Sequence, residues 1–296
     1  MLYQLTHTTL YEYQSVVNSC HNLGVLKPRT NADQELIDFQ LDIEPEPQNI
    51  SSKRDFFGNY QHDFSIQTPH TKLSITAKSI VDRNVSAETQ SEQVKAASQY
   101  TFQQLSSHLH LLDAEMLDAK QYLYASPLIR KHNQALREYT LESFAPNRSL
   151  YQSTHEFMSR IFHDFKFDPS FTTVNTPIDT VFEARKGVCQ DFAHVAIAGL
   201  RSIGIPTRYI SGYIETLPPE GQEKLIGTDA SHAWFSIYIP QHGWLEFDPT
   251  NNQIPENQYI QLAFGRDYSD IVPLKGVIYS SGENRMSVSV DLRKIL

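Results

Sequence analysis

The chain has 296 residues, 40% of them hydrophobic, and a formal net charge of −9 at pH 7. That is enough apolar material for one large domain or two smaller ones with well-buried cores, which excludes general disorder. The negative balance and the lack of clustered Lys and Arg exclude nucleic-acid binding, because neutralising phosphates needs such clusters.

The N-terminus, Met1 to Leu10, lacks a basic region leading into an apolar run, and no segment approaches 18 consecutive apolar residues. These features predict a cytoplasmic protein with no membrane partner. The first ninety residues read as β-rich. Leu73, Ile75, Ala77, Ser79 and Val81 alternate with polar residues, as do Ile37, Phe39, Leu41 and Ile43. A period of two marks half-buried strands. Pro45, Pro47, Gly58-Asn59 and Pro69 supply turns, so a small antiparallel sandwich or barrel is expected over 1–85.

The composition then shifts. Ser86 to Lys120 has neither Gly nor Pro and is rich in Gln, Ser, Ala, Leu and Glu, which predicts a helical connector over 86–148. Pro127 is expected near the start of a helix carrying Leu128, Ile129, Leu136 and Tyr139. A third unit follows over 149–296. It opens with a helix from Ser149, then a short helix capped by Asp179 or Thr180 and ending at Gly187. A nearly all-apolar helix from Cys189 to Ile203 is stopped by Gly204-Ile205-Pro206. Strands are expected at 207–214, 233–239 and 243–247, an exposed loop at 217–229, and a closing strand through Val288, Val290 and Leu292.

Cys189 and Cys20 are the chain's two cysteines, and a reduced buried thiol is the ordinary expectation for each. Cys189, however, stands where a helix begins, and a helix N-terminus stabilises a thiolate and a later oxyanion. His232 follows 43 residues on, at the start of a strand whose Ala233, Phe235, Ile237 and Ile239 can share one face. Asp248 ends the next strand, where antiparallel pairing would set it beside His232. An Asp accepting from one imidazole nitrogen leaves the other to face sulfur, which is triad logic with a thiol.

The motifs Gly187-Val188-Cys189-Gln190-Asp191, Ser231-His232-Ala233-Trp234 and Trp244 to Asn252 resemble, in order and spacing, those of the bacterial transglutaminase-like superfamily. So do Gly204 to Tyr213, Gly265 to Gly276 and, in the first unit, Tyr11-Glu12-Tyr13, Ser19 to Asn22, Leu26 to Arg29 and Asp55 to Asn59. The resemblance implies an α+β fold in which a papain-like core, its nucleophile helix packed on an antiparallel sheet, follows a β-rich N-terminal domain. It implies Cys189, His232 and Asp248 as the catalytic set and Tyr213 as a cleft residue. It leaves open peptidase, amidase or transglutaminase chemistry, and a peptide-binding module that has kept the fold without catalysis. One departure stands out. Papain-like peptidases place a Gln before the cysteine for the oxyanion hole, whereas this chain has Glu183-Ala184-Arg185-Lys186. The Cys189 backbone N–H is the one donor assigned.

Five further side chains have competing readings. Trp234 is a candidate for lining an acyl-binding cleft, with core packing as the alternative, and Trp244 leans structural. His194 fits a core or helix-packing role better than a second base, and Gln190 and Asp191 fit N-terminal capping. The 12 histidines are scattered with no His-Glu-x-x-His and no Cys-x-x-Cys, and there is no EF-hand loop or Gly-rich phosphate loop, so no metal and no cofactor are expected. The expected partner is a peptide or protein substrate.

Overall fold

The computed structural model describes residues 1–109, 114–130, 134–216 and 230–295. The loop expected over 217–229 lies outside the described residues. Six strands open the chain: β1 (Leu2–Val17), β2 (Ser19–Gly24), β3 (Gln34–Glu44), β4 (Asn49–Arg54), β5 (Tyr60–Ile66) and β6 (His70–Arg83). In β6 the alternation holds, with Leu73, Ile75, Ala77, Ser79 and Val81 all buried. In β3 a bulge between Leu36 and Asp38 interrupts the register with β6. The extra residue, Ile37, is 55% exposed instead of inward-facing, because a bulged residue drops out of the alternation.

Four helices follow: α1 (Ala87–Gln99), α2 (Phe102–His108), α3 (Ala114–Lys120) and α4 (Gln134–Leu141). Ser86 and Thr101 cap the first two through their hydroxyls. Pro127 does not open a helix; the segment around it is irregular, and its Leu128 and Ile129 amides donate to the buried Asp267 carboxylate. Helix α5 (Leu150–Asp164) starts as expected, with Ser149 Oγ accepting from Gln152 N–H.

The remaining elements are β7 (Lys166–Phe167), α6 (Ile178–Ala184), β8 (Lys186–Gly187), α7 (Cys189–Ser202), β9 (Thr207–Ile214), β10 (Ala230–Ile239), β11 (Gly243–Phe247), β12 (Tyr259–Gly265), β13 (Leu274–Tyr279) and β14 (Asn284–Lys294). Helix α6 is capped by Pro177, not by Asp179 or Thr180, and it ends before Gly187, at Arg185 in the left-handed region (φ 52°).

Three antiparallel four-stranded sheets result, ordered β14-β1-β6-β3, β13-β2-β5-β4 and β11-β10-β9-β12. The first two form the N-terminal sandwich. Residues 274–294, grouped with the third unit in the sequence, thus pair into it: β13 lies against β2 and β14 against β1, from Tyr3↔Lys294 to Tyr13↔Asn284. Strand β12 was not anticipated at all.

The third sheet is buried on both faces. Ala233, Phe235, Ile237 and Ile239 join the main core with Phe192, Val195, Ala196 and Leu200 of α7, while Trp234 packs with Ile210 and Tyr259 in a small separate core. Arg201, near the end of α7, is buried and ties three segments together. It donates to the Thr207, Tyr124 and Arg266 carbonyls at 2.8, 3.1 and 2.7 Å. Arg201→Met would leave these carbonyls unpaired in a dry site, and is expected to cost about 3 kcal/mol of stability, read as a lowered urea midpoint. Among the described residues no helix is long and apolar enough to cross a membrane.

Candidate active site

Cys189 is the first residue of α7 and remains partly exposed. The turn before it is held by Asp191, whose Oδ2 accepts from the Val188 N–H at 2.8 Å and the Thr172 hydroxyl at 2.6 Å. Asp191 is therefore a cap, and burial raises its pKa against those two hydrogen bonds. Gly187 is needed for this closure. A Cβ there would sit 2.6 Å from Asp191 Oδ2.

His232 and Asp248 come together because β10 and β11 are adjacent antiparallel strands, in register from Phe235↔Phe247 onward. His232 Nε2 lies 2.8 Å from Asp248 Oδ2, with the imidazole 8% and the carboxylate 0% exposed. Burial alone would lower the His232 pKa. The hydrogen bond and charge of Asp248, and then those of Cys189, overcome it and raise the value from 6.5 to about 10. With Nε2 engaged, Nδ1 is the nitrogen left to Cys189.

The Asp248 carboxylate also accepts from the Thr250 N–H (2.9 Å), Asn251 Nδ2 (2.7 Å) and the Tyr259 hydroxyl (2.6 Å). Its pKa is lowered: burial pushes it up, but the His232 charge and these donors prevail. Asn251 and Tyr259 are contributors that the sequence reading gave no role. Tyr259 opens the seven-residue, mostly apolar run of β12, a pattern compatible with a strand buried on both faces.

The two expected cleft residues are placed elsewhere. Trp234 is 0% exposed; it lies beside the His232 ring (centroids 6.0 Å apart, 26° between planes) and donates its indole N–H to Glu246 Oε2 at 2.8 Å. Tyr213 is also 0% exposed, and its hydroxyl meets His7 Nδ1 of the N-terminal sandwich at 2.8 Å. Neither side chain presents a surface to a ligand. In both cases the second face of the strand is covered by other parts of the chain. Trp244 packs against Tyr122 and Tyr238. His194 is a buried core residue: its Nε2 accepts from the Tyr268 N–H at 3.2 Å, and burial lowers its pKa to about 4, which keeps it neutral. Among the described residues no group of three or more His, Cys, Asp or Glu is placed to hold a metal ion.

A partly exposed cysteine at a helix start, beside a buried imidazole that a carboxylate orients, is the layout of thiol enzymes. Comparisons with known proteins agree with that fold. Residues 3–82 match the bacterial transglutaminase-like N-terminal region and residues 137–249 the transglutaminase-like superfamily. An uncharacterized protein of Mycobacterium tuberculosis is 39% identical over 98% of this chain and 92% of its own length. A protein-glutamine gamma-glutamyltransferase of Pseudomonas aeruginosa is 29% identical over 144 residues, 45% of this chain and 22% of its own. The crystal structure of a candidate cysteine protease from Cytophaga hutchinsonii superposes with a TM-score of 0.77 at 20% identity, covering 100% of this chain and 91% of that one. The chain belongs to the bacterial transglutaminase-like superfamily.

Proposed function

We propose that this protein is a thiol acyl-transfer enzyme acting on peptide or amide bonds. The observation that carries the proposal is the 2.8 Å His232–Asp248 contact beside Cys189 at the start of α7. Cys189 gives its proton to His232 and its sulfur adds to the amide carbonyl. The oxyanion gathers at the helix N-terminus, where the Cys189 backbone N–H is the donor we assign. His232 returns the proton to the departing amine as the C–N bond breaks, leaving a thioester on Cys189. Asp248, itself held by Tyr259 and Asn251, keeps the imidazole oriented throughout.

Water then takes the acyl group, which makes the protein a cysteine protease or amidase. The second reading, transfer to an amine, draws support from the similarity to the P. aeruginosa gamma-glutamyltransferase. Incubation with a glutamine-containing peptide library and a primary amine, read by mass, separates the two: cleaved or deamidated products mark hydrolysis, and amine adducts mark transfer. Cys189→Ala is expected to abolish either product. Turnover that survives this substitution would exclude Cys189 as the nucleophile.

A further inference from the structure

The hydrogen bond to Asp248 fixes the direction of the His232 ring but leaves its plane free to turn about that bond. A flat neighbour supplies the second constraint. Trp234 stands two residues on, on the same face of β10, and its indole lies beside the imidazole with centroids 6.0 Å apart and 26° between planes. Tyr259 packs edge-on against the indole at 5.3 Å while its hydroxyl meets Asp248. A cation within about 6 Å of a Trp ring is stabilised by the ring's quadrupole, so the same contact favours the protonated imidazole.

The indole is itself held. Its N–H donates to Glu246 Oε2 at 2.8 Å, and Gln261 Nε2 donates to Glu246 Oε1. Glu246 belongs to β11 and Gln261 to β12, the two outer strands of the third sheet, so their contact spans it. The Gln261 amide is fixed in that orientation. Its Oε1 accepts from Asn31 Nδ2 at 2.8 Å, and its backbone N–H and C=O both engage the Gln34 side chain at 2.8 Å. Gln34 and Gln261 are both buried, and Asn31 and Gln34 come from the N-terminal unit. Each Glu246 oxygen thus faces a donor, a demand that a carboxylate meets and a carboxamide does not. Burial raises the Glu246 pKa; the Arg83 charge, the Trp234 N–H and the Arg208 charge lower it, and Asp33 raises it.

We infer that Glu246 is a positioning residue for His232, acting through the Trp234 indole, and that Gln34 and Asn31 of the N-terminal unit hold Glu246 through Gln261. The inference rests on the thiol acyl-transfer reading, in which His232 moves the proton, and it gives the N-terminal unit a part in that step. Every link from Gln34 to the imidazole is a direct contact.

The test compares Glu246→Gln, Trp234→Phe and Arg201→Met in the whole protein. Histidine-ring NMR follows the titration of His232, assigned as the signal absent from His232→Ala, and iodoacetamide alkylation at pH 6 follows Cys189. Glu246→Gln and Trp234→Phe are each expected to lower the His232 midpoint by about half a pH unit or more and to slow alkylation about threefold. Arg201→Met, destabilising but outside this chain of contacts, is expected to move neither. An unchanged His232 midpoint in Glu246→Gln, or the same shift in Arg201→Met, would overturn the inference. A failure of the underlying nucleophile reading looks different: iodoacetamide would then react with the unsubstituted protein no faster than with free cysteine, whatever the His232 midpoints show.

Discussion

Replacing His232 by alanine is expected to slow alkylation of Cys189 by iodoacetamide at pH 6 by two to three orders of magnitude. A thiol with the ordinary pKa of about 8.5 is only about 0.3% thiolate at that pH, and the thiolate is the species that reacts. With its pKa raised to about 10, His232 keeps the proton it takes from Cys189 in the proposed reaction throughout the neutral range. His232→Ala should therefore react more slowly than the unsubstituted protein at every pH between about 6 and 8. Equal rates for the two proteins would sink the reading of His232 as the partner of Cys189. The same shifts bear on stability. The raised imidazole contributes fully below pH 6.5 and loses its contribution as pH rises through about 10. The lowered Asp248 carboxyl contributes above pH 3.8 and loses its contribution as pH falls through its folded-state value.

Gly212→Ala is expected to remove about 3 kcal/mol or more of stability, and turnover with it. Gly212 of β9 is opposite His232 of β10 and Gln261 of β12. A Cβ there would lie 2.1 Å from the Ile260 carbonyl oxygen and 2.5 Å from the Trp234 indole. The oxygen belongs to strand backbone and cannot swing aside, and the indole is fully buried between Ile210 and Tyr259. Relief would have to separate β9 from β12 or displace Trp234 from His232. Gly204→Ala is the comparison, since no atom lies within 4 Å of its Cβ and only its φ of +86° resists. It should cost about 1 kcal/mol. Urea denaturation of both variants checks the ordering, and equal losses would contradict the packing argument.

The elements around Cys189 were legible because each had a local signal. The apolar run after Cys189 ended at Gly204-Ile205-Pro206, and the strands bearing His232 and Asp248 were adjacent in sequence, so ordinary antiparallel pairing was enough to join them. Tyr259 was not legible as a partner of Asp248. It lies on β12, which reaches the site by pairing with β9 across the 44 residues that separate the two strands, and no local pattern encodes that pairing.

Trp234 and Tyr213 show the same limit from the other side. Alternation correctly set Trp234 opposite Phe235, but a period of two separates the faces of a strand without saying what covers each. Here the second face is closed by Tyr259, Glu246 and the N-terminal sandwich, so positions that read as cleft lining are core.

The amino-acid sequence by itself determined the helix that begins at Cys189 and the hairpin that brings His232 to Asp248, because each is specified by nearby residues. Only the tertiary structure decided that β13 and β14 return to the N-terminal sandwich, and that Tyr259 and Asn251 support Asp248. Those outcomes depend on pairings between residues as far apart as Tyr3 and Lys294, whose partners are chosen by the packing of the whole chain and not by any local period.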